Sequence, residues 1–180
     1  MNINDFKANL IGGGARANQF KVIITTPGGI PDTGLDLTKM SFLCKGTNLP
    51  TSTVGEIAIP FRGRNIYIAG DRSAPESWTT TFYNDTDFMI KTGIEKWSNS
   101  INDFISTKGV VTPSDYQADL TVQQLDRDEK ILKEYIFRSA WPTTTGGAID
   151  LSSDEATAIE EFEVTWRYQH FEASGLTYNL

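Results

Sequence analysis

The sequence predicts a mainly β domain, an antiparallel β-barrel or sandwich of about eight strands with one packed α-helix over residues 85–107. Three observations predict it. Short runs of alternating apolar and polar residues recur along the chain, with clusters of Gly, Pro, Asn and Asp between them. Helical spacing of apolar residues is sustained in one segment. A composition of 39% hydrophobic and 11% aromatic residues over 180 positions is enough for one core. The chain reads as a single domain over 1–180, with a flexible N-terminal arm (1–18) and a C-terminal tail (172–180) on the surface.

The arm contains Gly12, Gly13 and Gly14. Successive glycines can form an anion-binding nest, but neither a strand–turn–helix context nor a Walker lysine accompanies them, so a mobile arm is the reading. The first strand is Gln19–Thr26, where Phe20, Val22 and Ile24 alternate with Lys21, Ile23 and Thr25. Residues 27–38 form a loop of turn residues that decorates the outside or reaches a neighbour. A second strand is expected over 39–46, with Cys44 as a small buried core residue.

Two strand runs follow, Gly55–Ile59 and Asn65–Ala69, joined through Pro60, Phe61, Arg62, Gly63 and Arg64. The proline and glycine favour a turn, and two arginines make its tip positive on an otherwise acidic chain. A charged, projecting hairpin suits gripping a neighbour. Phe61, Arg62, Gly63 and Arg64 at its tip and Gly70, Asp71 and Arg72 at its end are therefore candidate contacts between subunits or rings. The next strand, 76–83, puts Trp78, Thr80 and Phe82 on one face.

In the helix, Ile90, Ile94, Trp97, Ile101 and Phe104 recur at spacings of four, three, four and three, with Ile105 beside them. Asn84 or Asp85 is positioned to cap its start, and Gly109 to end it. Gly93 borders the stripe although glycine costs roughly 0.5–1 kcal/mol relative to alanine in a helix, which points to close approach to the sheet. Phe88 points away from the stripe, as an ordinary exposed aromatic or as a subunit contact.

Residues 118–125 and 130–141 form a second hairpin around an acidic turn, Asp126–Glu129. That turn lacks the glycine and distant glutamate of a calcium loop, so it reads as solvated. Ile131, Tyr135 and Phe137 share one face of the second strand and Leu132 and Ile136 the other, so both faces should be covered. After a Thr/Gly/Ser/Asp-rich connection over 143–158, the last strand runs over 159–171. Phe162, Val164, Trp166 and Tyr168 face inward. Glu161, Glu163, Thr165, Arg167 and Gln169 face outward, a polar and moderately acidic surface. Glu161, Glu163 and Arg167 are candidates for a lumen or solvent face.

The pattern carries no catalytic, cofactor-binding or metal-binding set. One cysteine and one histidine exclude a Cys/His zinc site within one chain. No nucleophile-elbow pattern surrounds a serine. Trp78, Trp141 and Trp166 form a sugar-stacking platform only if exposed, and the parity of Trp78 and Trp166 favours the core. A net charge of −7 argues against the usual nucleic-acid binding route, which relies on Lys and Arg displacing counterions. Carboxylates lining a conduit would keep a moving duplex from sticking, and plain solubility explains the charge equally well. No apolar run approaches the roughly 20 residues a membrane span needs. The N-terminus has neither a basic start nor an apolar segment, so no secretory signal is expected and assembly is expected in the cytoplasm.

An ordered set of motifs adds to this. Cys44–Pro50, Ala69–Arg72, Trp78, Asn84-Asp85, Trp141–Thr143 and Phe162–Val164 follow one another at a spacing that resembles the tail tube proteins of contractile bacteriophages. The likeness spans roughly residues 16 to 171. It implies a barrel-like subunit that forms six-membered rings, stacked into the hollow tube of a virion that conducts DNA into the host. It also implies N-terminal arms that help connect rings. The implied partners are further copies of the chain, tail sheath, baseplate or tube initiator, tail terminator, and tape measure protein and DNA in the lumen without sequence-specific binding. The tube of a phage-derived injection or type VI-like secretion device is the alternative, and a carbohydrate-binding β-sandwich a distant one.

Overall fold

The computed structural model describes residues 2–30, 33–73, 75–147, 149, 151 and 159–176. Most of the expected connection over 143–158 and the last four residues of the tail lie outside these. The described strands are β1 (Phe20–Ile24), β2 (Cys44–Thr47), β3 (Val54–Phe61), β4 (Arg64–Arg72), β5 (Trp78–Tyr83), β6 (Ala118–Leu125), β7 (Ile131–Thr144), β8 (Glu161–Arg167) and β9 (His170–Ala173). Four α-helices accompany them: α1 (Ile3–Asn9), α2 (Leu37–Leu43), α3 (Met89–Ile101) and α4 (Pro113–Tyr116). Seven strands form one sheet in the order β1-β6-β7-β8-β5-β2, with β9 also on β7, and β3-β4 stand apart as a two-stranded sheet. The free edges β1 and β2 do not meet, so the large sheet stays open rather than closing as a barrel.

β7 is the strand that holds both halves together. It pairs with β6 and β9 through its first part and with β8 through its last. The corner is at Ser139, whose φ of 55° lies in the left-handed region and coincides with a register shift against β6. Asp119 secures it by accepting from the Ser139 backbone N–H at 3.0 Å. Arg138 next to it donates to Asp119 at 2.6 Å and grips Glu172 of β9 through two N–H groups at 3.0 and 2.8 Å. The Glu172 and Asp119 bonds raise the guanidinium pKa further.

Alternation supplies the core. The β5 residues Trp78, Thr80 and Phe82 are buried and stand opposite Trp166, Val164 and Phe162 of β8. From the other half Val22, Ile24, Leu120, Val122 and Phe137 join the same cluster, and Ile90, Ile94 and Trp97 of α3 close it. Trp78 stacks on Phe137 at 4.3 Å between ring centroids, and Trp97 meets Trp166 at 5.5 Å. A buried indole needs a partner for its N–H. Trp78 donates to the Asn48 carbonyl, Trp97 to the Tyr116 carbonyl and Trp166 to the Thr80 hydroxyl, each at 2.8 Å.

Several expectations give way to capping and packing. The strand expected over 39–46 is α2 followed by β2. The Asp36 carboxylate accepts from the N–H groups of Thr38 and Lys39, both at 3.0 Å, and starts a helix that buries Met40. Cys44 is buried as expected, and desolvation pushes its thiol up to about 11. Phe42, inside the segment expected as a strand, is 82% exposed. The last strand also divides: β8 stops at Arg167, and β9 carries the sheet on to Ala173, inside the region expected as tail.

The main helix is shorter than 85–107. It starts at Met89, whose N–H donates to Asp87 at 3.0 Å, after Phe88 at φ 52°. Neither expected cap is used: Asn84 donates to Glu160 at 2.9 Å, and Asp85 bonds Thr86 and Lys39 at 2.6 and 2.8 Å. After Ile101 the Asp103 carboxylate accepts from the N–H groups of Ser106 and Ile105, at 2.6 and 3.1 Å. These bonds, Ser106 foremost, hold it at about 2. A side chain that collects backbone donors in this way competes with the helix, so Phe104 and Ile105 leave the stripe and are 90% and 95% exposed.

Gly93 does allow close approach, but to the loop rather than the sheet. A Cβ there would stand 2.4 Å from Leu35 Cδ2 and 3.0 Å from the Thr33 carbonyl. The loop buries Ile30 and Thr33, so it packs on its own domain. Gly109 is tighter: a Cβ would lie 2.0 Å from the Ile101 carbonyl oxygen, and backbone cannot swing aside. Gly109→Ala is expected to lower stability by about 2 kcal/mol through overpacking, read as a lower urea midpoint at unchanged slope.

Candidate functional site

The separate hairpin is built by a two-residue turn. Arg62 and Gly63 have φ of 47° and 85°, the doubly left-handed pattern whose twist matches that of paired strands. The Arg62 guanidinium lies over the Phe61 ring, 5.5 Å from its centroid. The turn sets the register: Ile57 faces Ile68, Ile59 faces Ile66 and Phe61 faces Arg64. Because side chains alternate, all four isoleucines and Phe61 fall on one face, while Glu56, Ala58, Pro60, Asn65, Tyr67 and Ala69 take the other.

Among the described residues, no part of the domain covers the isoleucine face. Ile57, Ile59, Ile66 and Ile68 are 44–50% exposed, and β3 and β4 pair only with each other. A two-stranded hairpin alone is marginally stable in water. At its foot the register shifts between Val54 and Glu56. There a Cβ on Gly70 would stand 3.2 Å from Ile57 Cγ1 and 3.3 Å from the Gly55 carbonyl, so the strands cross closely where they leave the body. Arg72 ties that foot to the Ser52 hydroxyl.

The expected contact residues thus form two groups on one hairpin, Phe61–Arg64 at the tip and Gly70–Arg72 at the foot. Phe88 lies apart from both, at the start of α3. The expectation missed the isoleucine face itself. Its signal was present: 57, 59 and 61 alternate on one strand and 66 and 68 on the other, and a two-residue turn at 62–63 puts both sets on one face.

The outward face of β8 is the second candidate surface. Glu163 and Arg167 are exposed, and Glu161 is half-buried and bonded through both oxygens to Lys45 Nζ at 2.6 Å. The Glu161 bond raises the Lys45 pKa. Thr79, Thr81 and Tyr83 of β5 extend this face. Lys45 of β2 adds a cation beside the two carboxylates and Arg167 of this face.

Chemistry finds no comparable arrangement. His170 is exposed on β9 with Glu172 at 4.0 Å, and no group of three or more metal-ligating side chains occurs among the described residues. No helix among them is long and apolar enough to cross a membrane.

A profile of the phage tail tube proteins matches residues 15–174. The chain belongs to the phage tail tube protein family. The tail tube protein gp19 of Enterobacteria phage T4 is 31% identical over 163 residues, covering 88% of this chain and 91% of that one. The tail tube protein of Serratia phage KSP90 is 28% identical over 169 residues, covering 92% and 93%. Among solved structures, a chain of the anti-feeding prophage baseplate, 6-fold symmetrised, shares the fold with a TM-score of 0.62. Its identity is 14%, over 90% of this chain and 96% of that one. Family membership makes this a structural component of the virion, and the hairpin and open sheet are features of that subunit.

Proposed function

We propose that six copies of this tail tube subunit associate head to tail into rings, which stack as the inner tube of a contractile phage tail and conduct DNA. Its work is assembly, without a bond-making step. The observation that carries this reading is the bare isoleucine face, since an apolar sheet surface of this kind has to be buried by something outside its own domain. A heterologous contact that closes on itself gives a ring, and it pairs strand edges that would otherwise invite aggregation.

Within this reading the tip, Phe61–Arg64, grips the adjacent ring, the foot and Phe88 contact neighbours in the same ring, and the Glu161, Glu163 and Arg167 face is turned to the lumen or to solvent. Sheath, tube initiator and terminator proteins meet the outside and the ends. Tape measure protein and DNA occupy the bore without sequence-specific contacts.

Negative-stain microscopy of the purified protein tests it, with tail-assembly partners supplied where needed. Rings or tubes are expected, and a strictly monomeric particle at high concentration would overturn the reading. Arg62→Glu with Arg64→Glu is expected to shorten mean tube length about fivefold, on the scale of roughly 1 kcal/mol for exposed charge contacts, with an unchanged thermal melt. Unchanged tube length would count against the tip as the ring contact.

The shared fold with the anti-feeding prophage chain favours one second reading, a tube of a phage-derived injection device with protein cargo. Capsid and terminase genes beside this one would decide for the phage tail. The sugar platform has no such support, because Trp78 and Trp166 are buried.

A further inference from the structure

The start of the chain carries apolar side chains that the core does not use. Ile3, Phe6 and Leu10 follow spacings of three and four along one side of α1. Ile3 and Phe6 are 68% and 61% exposed, and the helix buries no residue. A groove of about 510 Å³ lies between β1 and α2, with Phe20, Ile23, Leu37, Phe42 and Leu125 as its apolar lining. Phe42 is the most open of these, at 82%. An amphipathic helix with anchors at i, i+3 and i+7 is the shape such a groove accepts.

The tether between helix and groove is short, and it starts at the groove itself. The Leu125 N–H donates to the Gln19 carbonyl at 2.9 Å. Gln124 Nε2 donates to the carbonyls of Arg16 and Gln19, at 2.6 and 2.7 Å. Residues 16–19 are thus fixed beside Phe20 and Leu125, two of the groove's own walls. Only residues 11–15 separate this anchor from Leu10, and three of them are glycine. Gly12, Gly13 and Gly14 all have φ between 67° and 82°, a region glycine enters without strain. A glycine-rich linker of that length spans about 12 Å on average, enough to lay α1 back along the groove.

The tether also decides whose groove the helix meets. A short flexible linker holds its end at an effective concentration of about a millimolar, against about a micromolar of other copies in dilute solution, so the chain's own groove is favoured roughly a thousandfold.

We propose that α1 is a strap that closes, in the free subunit, on the β1–α2 groove of its own chain, with Phe6 laid against Phe42. Closed, it covers an apolar surface that would otherwise be open to other copies, and assembly has to lift it. The closure rests on the tether and the two apolar surfaces. Its role as a mask rests on the tube reading, because only an assembling subunit has premature contacts to avoid.

Hydrogen exchange at residues 3–10 of the free subunit tests the closure against Phe42→Asp. Phe42 lies on the surface, so its replacement reaches the α1 amides only if the strap is shut. Exchange is expected to be about tenfold faster in Phe42→Asp than in wild type, the scale of one lost aromatic anchor. Wild-type protection is expected to be the same at about 1 and about 100 μM, as a tethered contact requires. Equal rates in the two proteins would overturn the proposal. So would protection that rises with concentration, the mark of a neighbouring copy. Phe6→Ser tests the mask: uncovering the groove is expected to raise binding of an apolar fluorescent dye about twofold. An open helix merely loses an exposed ring, and unchanged or weaker dye binding would overturn the mask. If wild-type protein forms no ring or tube, the tube reading fails and the mask with it, while the exchange rates still decide the closure.

Discussion

Ile57→Lys combined with Ile68→Lys is expected to abolish ring formation while the subunit stays folded. The two residues face each other across β3 and β4 at the foot end of the apolar face, and each remains about half exposed in the single chain. Full burial of an isoleucine side chain is worth about 1.5–3 kcal/mol, so covering the remaining halves of the pair contributes roughly that much at each contact. Losing it weakens each contact by about tenfold to a hundredfold, and burying two unpaired ammonium groups weakens it further. A six-membered ring repeats the penalty at every interface. The domain should not register the change, because the hairpin forms its own sheet and its isoleucines lie outside the core cluster. Light scattering behind size exclusion should show monomer where wild type shows rings, with coincident far-ultraviolet circular dichroism and melting curves. Wild-type assembly by the double variant would remove the basis for the hairpin as the principal contact.

Trp166→Ala is expected to do the opposite, destabilising the subunit itself rather than its contacts. Trp166 is fully buried where β8, β5 and α3 meet, within 6.5 Å of Trp78 and 5.5 Å of Trp97 between ring centroids. Truncating a buried tryptophan costs about 3–5 kcal/mol. The change also leaves the Thr80 hydroxyl, buried itself, without the indole N–H it accepts at 2.8 Å. Domains of this kind have only about 5–15 kcal/mol in total. A midpoint lowered by about 10–15 °C follows for a chain of this length. A melt within a few degrees of wild type would mean that the β5–β8 layer is far less critical to the core than its geometry indicates.

How much of this was readable in advance depends on whether the deciding interaction is local. The parity of Trp78, Thr80 and Phe82 and of Phe162, Val164 and Trp166 is a property of strand geometry, and it reads directly from the spacing. The stripe of Ile90, Ile94 and Trp97 reads in the same way. The helix ends did not, because Asp103 and Asp87 compete for backbone donors one turn at a time and apolar spacing is blind to that. Segment 37–43 misled for the same reason: its apolar residues suit a strand, and the Asp36 cap decides for a helix.

The candidate site divides similarly. The hairpin and the charged tip at Arg62 and Arg64 were legible from turn residues alone, and the expected contacts at 61–64 and 70–72 do fall on it. Its isoleucine face emerged only with the register, and the exposed Phe42 and the free side of α1 only with the whole fold.

By itself, then, the sequence determined the β class, the inward faces of the strands, the existence of one long helix and the family, since each is carried by residue type and short spacing. Only the tertiary structure decided which apolar residues the domain leaves uncovered. Ile57, Phe42 and Phe6 are chemically indistinguishable from core residues, and long-range packing alone separates a side chain buried by its own fold from one that waits for a neighbour.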